Sequence, residues 1–597
     1  MVTAMFEYGE SASRGARTKI LSMLLWAAVL VPAMALSAPI DLPRDADGWT
    51  IFSPSADSRI VYISRGGSDA SGQVYAPTDA AIGDDPFNPV AAVNAFETYA
   101  AACAQTRNGS ADWILLRRGD EFTFSFGSSI HSGRAPDEPF LIGAYGPSGR
   151  CPVVKTGPNQ AFGLSDLRFF ALFGIDFYAH TRDPDGPDYV DGTGSIRFYQ
   201  NNSVQKYLGT TVGDFDIRRC LFTDNYCESS HSQGLYTSGV DGFTLEENIF
   251  IHNGWYTRQL GGGNDQDGGQ ATMFNHNTYF TNGTNVTFSE NMFLVPSSCG
   301  TKWTANDGFV AENIILDNNL FVDGEVAIGM GGNTTEPLRF KNPIVRNNVI
   351  TDIGRSQPTG RTLGWGIGAE DWDGGVIANN LLMNQPLDAI TNTYGINLVG
   401  TLRNVSITRN IIHNIRFADG LNLSDGRGSD VDGMVFSENM IQISLDARYT
   451  VDAEYDPAGK WVFSDNVYYS DRPEESRFRI AGTQMTMAQW QTATGDNSIF
   501  ESHPFPDPDR DIQGYQASIG QPASIDAFIA TCRDQDRFSW DPRYTAGAVN
   551  SWIKAGFALP DSNADGSSNN GGPGGTTGGN GSSGGGGCFV QMIQPLD

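Results

Sequence analysis

The sequence predicts an all-β chain wound as a solenoid of parallel strands, with a strand-helix cap at its N-terminal end and a small C-terminal cap. Three observations carry that prediction. A six-residue phrase centred on asparagine returns eight times, at Asn248, Asn291, Asn319, Asn348, Asn380, Asn410, Asn439 and Asn466. The intervals are 43, 28, 29, 32, 30, 29 and 27 residues, so one supersecondary unit repeats about every 29. Around each asparagine apolar and polar residues alternate, as a strand with one buried face requires, and β-branched and aromatic residues abound. An asparagine at one place in every turn can stack on its copies, each amide donating to the next carbonyl, which lets such a solenoid turn its corners.

The elements follow in order. Arg14, Arg17 and Lys19 precede an apolar run at 20 to 31 and then Ala33-Met34-Ala35, so residues 1–35 read as a secretory signal and the protein as exported or at the cell surface. A membrane anchor is the other reading, but the run is shorter than the roughly 20 residues a span needs. Once the signal is removed no transmembrane span is expected. Residues 36–160 lack the repeat. They hold strands at 59 to 64 and 113 to 116, and Asn88-Pro89 opens a helix running to Cys103, with Val93, Phe96 and Ala100 at core spacing. Such a segment would cover the open end of a solenoid. Residues 161–475 are the coils, from Phe169-Phe170-Ala171-Leu172-Phe173-Gly174-Ile175-Asp176-Phe177 onward. Helical patterning at 487 to 492 and 525 to 533 marks a C-terminal cap over 476–560, closed by 540 to 557. Residues 561–597 are a Gly/Ser-rich tether ending in a tail with Cys588.

Composition narrows the function. Apolar residues make up 40% of 597, enough for a continuous core. With 68 acidic and 39 basic residues the net charge is −29 and no basic cluster stands out, which excludes nucleic acid as the main partner. An acidic protein acting on an anionic polymer needs a local cationic patch or bound cations. Seven cysteines in an exported chain allow disulfides, with Cys103/Cys151 and Cys220/Cys227 nearest in sequence. Cys220 also stands in the ladder's place 28 residues before Asn248, where it reads as a core thiol.

Signal, strand-helix cap, asparagine-laddered coils and fading end together resemble secreted bacterial right-handed parallel β-helix repeat proteins. This is the pectate-lyase-like architecture of polysaccharide lyases, pectinase-type hydrolases and alginate epimerases, and it covers roughly residues 50 to 480. The resemblance implies a polysaccharide partner and leaves the reaction open. No Gly-His-Gly of the pectinase type occurs, and no Asp-Pro is followed by His as in alginate epimerases. A monomer is expected.

A second strand recurs as Gly-Leu-Tyr-Thr at 234 to 237, Gly-Trp-Gly-Ile at 364 to 367, Gly-Ile-Asn-Leu at 395 to 398 and Gly-Leu-Asn-Leu at 420 to 423. Its second and fourth places should point inward and its third outward, which lines up Tyr236, Gly366, Asn397 and Asn422, extended by Ser238, Glu370 and Ser424. A polar stripe of this kind suits a polymer. In Gly-Thr-Lys-Trp-Thr at 300 to 304 an inward Trp303 turns Lys302 outward onto it. A lyase acting on a uronate needs its carboxylate neutralised, a base for the C5 proton and an acid for the leaving oxygen. Lys302 could neutralise or act as base, with Arg258 as the other cation. His231 or His276 with Tyr236 would form an acid/base pair. His276 shares parity with inward Phe274 and Phe280 unless a bulge reorients it.

Trp255, Tyr256 and Tyr279 join Asn397, Asn422 and Glu370 as substrate-binding candidates. The 43-residue interval points to an insertion at 256 to 269, a Gly-rich loop carrying Asp265 and Asp267, which could bind calcium or simply be a solvated turn. Glu370, Asp371 and Asp373 could instead be the carboxylates of a hydrolase. His252 and His413 read as structural, at a polar turn and in the core. The leading expectation is a lyase that cleaves an acidic polysaccharide by β-elimination. A non-catalytic glycan-binding surface protein and a glycoside hydrolase are the alternatives.

Overall fold

The computed structural model describes residues 42–559 apart from 46–49, 128, 160, 165–166, 182, 184–185, 191–201, 206–212, 226–231, 255–270, 333–335, 386–391, 425–429, 445–446 and 537–538. Three long sheets, of 18, 13 and 12 strands, run the length of the solenoid. Nearly every pairing joins one coil to the next in parallel, as in Asp241–Glu246 against Thr284–Ser289, then Ala311–Asp317. Each coil crosses the first sheet, turns at the ladder asparagine, crosses the second sheet in a short strand such as Ile249–Ile251, and returns through the third, as His276–Thr281. This is the right-handed parallel β-helix that the repeat predicts.

The ladder itself is continuous. The backbone N–H and side-chain Nδ2 of Asn248 both donate to Asn291 Oδ1 at 3.0 Å, and the same pair of bonds passes from coil to coil as far as Asn466, which donates to Ser498 Oγ. The residue before each ladder asparagine is left-handed: Glu247, Glu290, Asn318, Asn347, Asn379, Arg409, Glu438 and Asp465 all have φ between 51° and 60°. Each of these departures from ordinary backbone would cost about 1–2 kcal/mol in isolation. They persist because the amide stack over-determines the corner. His252 holds another left-handed turn position (φ 56°), in line with Asp224, Asp323 and Asp352, and its Nδ1 lies 2.8 Å from Asp224 Oδ1, as its turn register predicts.

Inside the coils a phenylalanine column, Phe177, Phe222, Phe250, Phe293 and Phe321, stacks with ring centroids 4.6 to 5.3 Å apart. At the N-terminal end the helix is only Tyr99–Cys103, capped by Thr98, and does not begin at Pro89. The backbone of residues 94 to 96 is used otherwise: the carbonyls of Asn94, Ala95 and Phe96 accept from Gln73, Ser68 and Ser64, and Phe96 N–H donates to Tyr62. These bonds outcompete a helix there. Cys103 and Cys151 are buried thiols in no disulfide, as are Cys220, Cys299 and Cys532. The Cys103/Cys151 pairing is therefore not formed, since Cys103 packs in the central core and Cys151 in the layer outside the second sheet. Cys220 is the core thiol its ladder position predicts, and Cys227 lies outside the described residues.

The helical C-terminal residues divide into two structures. Helix Met487–Thr494 buries Trp490 in the central core at the end of the coil stack. Helices Ile512–Ser518, Ile525–Arg533 and Ala546–Ala555 instead run along the outer face of the second sheet, where Phe528, Cys532 and Val549 meet Ile251, Met292 and Leu320. His413 lies beneath this layer, its ring 5.4 Å from that of Phe505 and 5.3 Å from that of Phe557, and burial pushes its pKa down to about 4, so it is neutral packing.

The same layer buries Glu290, whose Oε2 lies 3.0 Å from where a Cβ on Gly547 would stand. Burial first, then the charge of Glu247, raises its pKa from 4.5 to about 7. A raised carboxyl binds more protons folded than unfolded between these values, so its contribution to stability falls as pH rises from about 4.5 to about 7 and stays lost above. Glu290→Gln removes the charge while keeping an acceptor for Asn318 Nδ2. Denaturant titration should show the variant more stable at pH 8, by on the order of 1–3 kcal/mol, and little changed at pH 4.

Candidate functional site

The outer face of the third sheet carries one register row: Tyr236, Tyr279, Lys302, Gly329, Gly368, Asn397 and Asn422 pair in sequence across seven coils. Lys302 points out and Trp303 in, as the alternation predicts, with Trp303 packed between Phe280 and Phe288. One coil is two residues out of the expected register. Ile367 pairs with Ile396 and Gly368 with Asn397, and because Trp365 and Gly368 both face out three residues apart the alternation is broken between them, leaving Gly366 inward, where a Cβ would come 2.4 Å from Leu382 Cδ2. Trp365 correspondingly turns outward. Asn422 Nδ2 donates to Asn397 Oδ1 at 3.0 Å, and beyond them Asp452, ion-paired to Arg479, ends the row.

A cavity of about 470 Å³ opens over the middle of this row. Its floor is Gly329 and Gly368; a Cβ on Gly368 would meet only Ile328 O, at 3.6 Å. The five strands from that of Tyr279 to that of Asn397 are four spacings of about 4.8 Å apart, so the floor is roughly 19 Å long. Trp365 and Tyr394, stacked at 5.0 Å, form one side, and Glu370 lies against Gly331 and Gly332 on the other. Lys302 lies over Gly329 and donates from Nζ to Gly331 O at 2.9 Å.

His276 lines the cavity, so the turn of parity that would bring it outward is present: it pairs with Gln233 and Cys299 while Tyr279, three residues on, also faces out. Its Nδ1 accepts from Cys299 N–H at 3.2 Å, which puts the proton of the neutral ring on Nε2. His276 is thus a donor toward a ligand and not a base. Tyr279 stands with its ring edge-on to those of His276 and Tyr236, at 5.5 Å from each, and its hydroxyl accepts from Thr304 Oγ1 at 3.2 Å. Tyr236 does not line the cavity; it is one strand further out, its hydroxyl pKa raised by burial. The expected pairing of Tyr236 with His276 therefore gives way to Tyr279 with His276. Asn397 borders the cavity and Asn422 continues the row beyond it.

The carboxylate cluster at 370 to 373 is split by a turn. Asp371, left-handed at φ 60°, is buried and accepts from Thr401 N–H, while Asp373 lies on a strand of the first sheet opposite Arg403. Only Glu370 faces the cavity. His231, Trp255, Tyr256, Arg258, Asp265 and Asp267 lie outside the described residues. Among the described residues no group of three or more His, Cys, Asp or Glu is arranged to hold a metal ion.

Sequence reasoning missed Arg361, Trp365 and Tyr394. Arg361 comes from an excursion between the second and third sheets, and its signal was the 32-residue interval from Asn348 to Asn380, three longer than the period. Trp365 was hidden by the break in alternation between it and Gly368, because a tryptophan in an apolar place reads as inward.

No family model and no curated protein matches the chain. Solved structures match at low similarity. The GH136 lacto-N-biosidase from Eubacterium ramulus is 14% identical over 71% of this chain and 67% of that one, with a TM-score of 0.37. A PL6 family alginate lyase, AlyGC, is 13% identical over 70% and 53%, with a TM-score of 0.40. PfbA, a surface adhesin of Streptococcus pneumoniae, is 10% identical over 62% and 84%, with a TM-score of 0.32. Likeness this distant leaves the chemistry to be argued from the site.

Proposed function

We propose that this protein is an exported lyase that binds an acidic polysaccharide along the outer face of the third sheet and cleaves it by β-elimination. The observation that carries the reading is the convergence of Lys302, Tyr279 and His276 on one glycine-floored cavity in the middle of a polar row. Lys302 takes the C5 proton of a bound uronate. The electrons of that C–H bond form the C4–C5 double bond, and the C4–O bond breaks toward the leaving oxygen. Tyr279, one strand away, gives that oxygen its hydroxyl proton, and Lys302 returns its proton to the tyrosinate. The Nε2–H of His276 holds a sugar hydroxyl or ring oxygen in place. Trp365 supplies an apolar wall for a sugar face.

The product carries a 4,5-unsaturated uronate that absorbs in the ultraviolet. Incubation with alginate, pectate, ulvan and glycosaminoglycans should give rising absorbance on at least one. Reducing ends released from a neutral glycan with no absorbance change would make the protein a hydrolase, and binding with neither signal a glycan-binding surface protein.

A further inference from the structure

With Lys302 as base, β-elimination still needs a cation for the substrate carboxylate, and the described residues contain one that the alternation of strands could not reveal. Arg361 borders the same cavity as Lys302. Its Nε and Nη2 donate to Glu325 Oε2 at 3.0 and 2.5 Å, Nη2 also donates to Ser298 Oγ at 2.6 Å, and Nε to Thr359 Oγ1 at 2.8 Å. Glu325 is wholly buried, and it also accepts from Thr359 N–H at 2.7 Å and from Thr359 Oγ1. Asp323, two residues earlier and equally buried, accepts from Ser356 N–H and Ser356 Oγ and pairs with Arg355. Two buried carboxylates on one coil thus staple the excursion of the next, and the excursion delivers the arginine.

The geometry leaves one edge of the guanidinium for a ligand. Among the described residues Nη1 of Arg361 has no hydrogen-bond partner, and the side chain is 22% exposed. Cys299 Sγ and Lys302 Nζ each lie 3.9 Å from where a Cβ on Gly329 would stand, and Arg361 Nη2 holds Ser298, the residue before Cys299, so the two cations border one stretch of the cavity wall and both lower the Cys299 thiol pKa that burial raises. Glu370 faces the cavity from its other side and Glu325 pairs with Arg361, so in a chain of net charge −29 the cationic character is confined to the edge that Lys302 and Arg361 Nη1 form, which is where an anionic sugar group would be held.

We infer that Arg361 binds the carboxylate of the sugar in the cavity, and that Glu325 is a positioning residue holding its guanidinium with Nη1 toward that sugar. The inference rests on the proposed lyase reading for its substrate, but it is read by binding as well as by turnover. An arginine fixed by a buried carboxylate on one edge offers planar N–H donors on the other, which suits a carboxylate better than a lysine would.

The test uses calorimetry with acidic and neutral oligosaccharides of equal length, and steady-state kinetics on any acidic polymer that turns over. Wild type should prefer the acidic ligand at least tenfold. Arg361→Ala should lose that preference and raise KM, while Arg361→Lys keeps part of it. Glu325→Gln should lower acidic binding with Arg361 in place, yet add nothing to Arg361→Ala in the double variant, because both act through one contact. The Arg361→Lys arm keeps the test readable should Glu325→Gln unfold the excursion. Charge preference without turnover would sink the lyase reading and sustain this one. No preference for the acidic ligand in wild type, or a preference unchanged in Arg361→Ala, would overturn it; so would additive losses in the double variant.

Discussion

Asn348→Ala is expected to destabilise the protein by about 3–5 kcal/mol, far more than a typical surface substitution. Asn348 Oδ1 accepts from Asn319 N–H at 2.8 Å and Asn319 Nδ2 at 3.0 Å, and Asn348 Nδ2 donates to Asn380 Oδ1 at 2.9 Å and Leu316 O at 3.0 Å. Alanine ends all four bonds, and their partners stay buried. Each stranded group costs about 1–3 kcal/mol, less where a water can enter the gap. Asn348→Ser should cost less, because Ser498 closes the native ladder by accepting both bonds from Asn466. Chemical denaturation read by far-UV circular dichroism checks the order Asn, Ser, Ala; an alanine variant within 1 kcal/mol of wild type, against the roughly 3–5 expected, would show that the ladder follows the coils and does not hold them.

Lys302→Ala is expected to lower kcat by about 10²–10⁴-fold, the range that loss of a positioned proton-transfer group produces. Tyr279→Phe should fall in the same range, since the leaving oxygen loses its donor. Tyr236→Phe, outside the cavity, should stay within several-fold of wild type. Gly368→Phe tests the place and not the chemistry: its ring would fill the floor, and with only Ile328 O near a Cβ the fold should tolerate it. Loss of binding with an unchanged melting temperature is the expected result. Full activity in both Lys302→Ala and Gly368→Phe would move the site off this face.

The sequence was informative where the physics is local and repeated. The asparagine period reports the coil length, and alternation about Trp303 places Lys302 outward, because successive side chains on a strand must face opposite ways. The turn register of His252 was legible for the same reason: its place recurs from Asp224 to Asn414 as a left-handed residue in coil after coil. Alternation failed at Trp365, which faces out three residues before outward Gly368, and at His276, which faces out three residues before Tyr279 and so loses its parity with Phe280, while Phe274 borders the cavity with it. The helix expected from Pro89 failed because its carbonyls find partners in the turn from Ser64 to Gln73, which joins the first two strands.

By itself, then, the sequence determined the solenoid, its period, its asparagine ladder and most of the polar row of the third sheet, all consequences of contacts between equivalent positions about 29 residues apart. Only the tertiary structure decided that residues 512 to 555 cover the second sheet, that the cavity lies over Gly329 and Gly368, and that Arg361 reaches it through Glu325. Those contacts join unlike positions, as Asn550 does in donating to Asn318, 232 residues away, so no period records them. A repeat encodes what is the same in every coil, whereas this site is built from what differs.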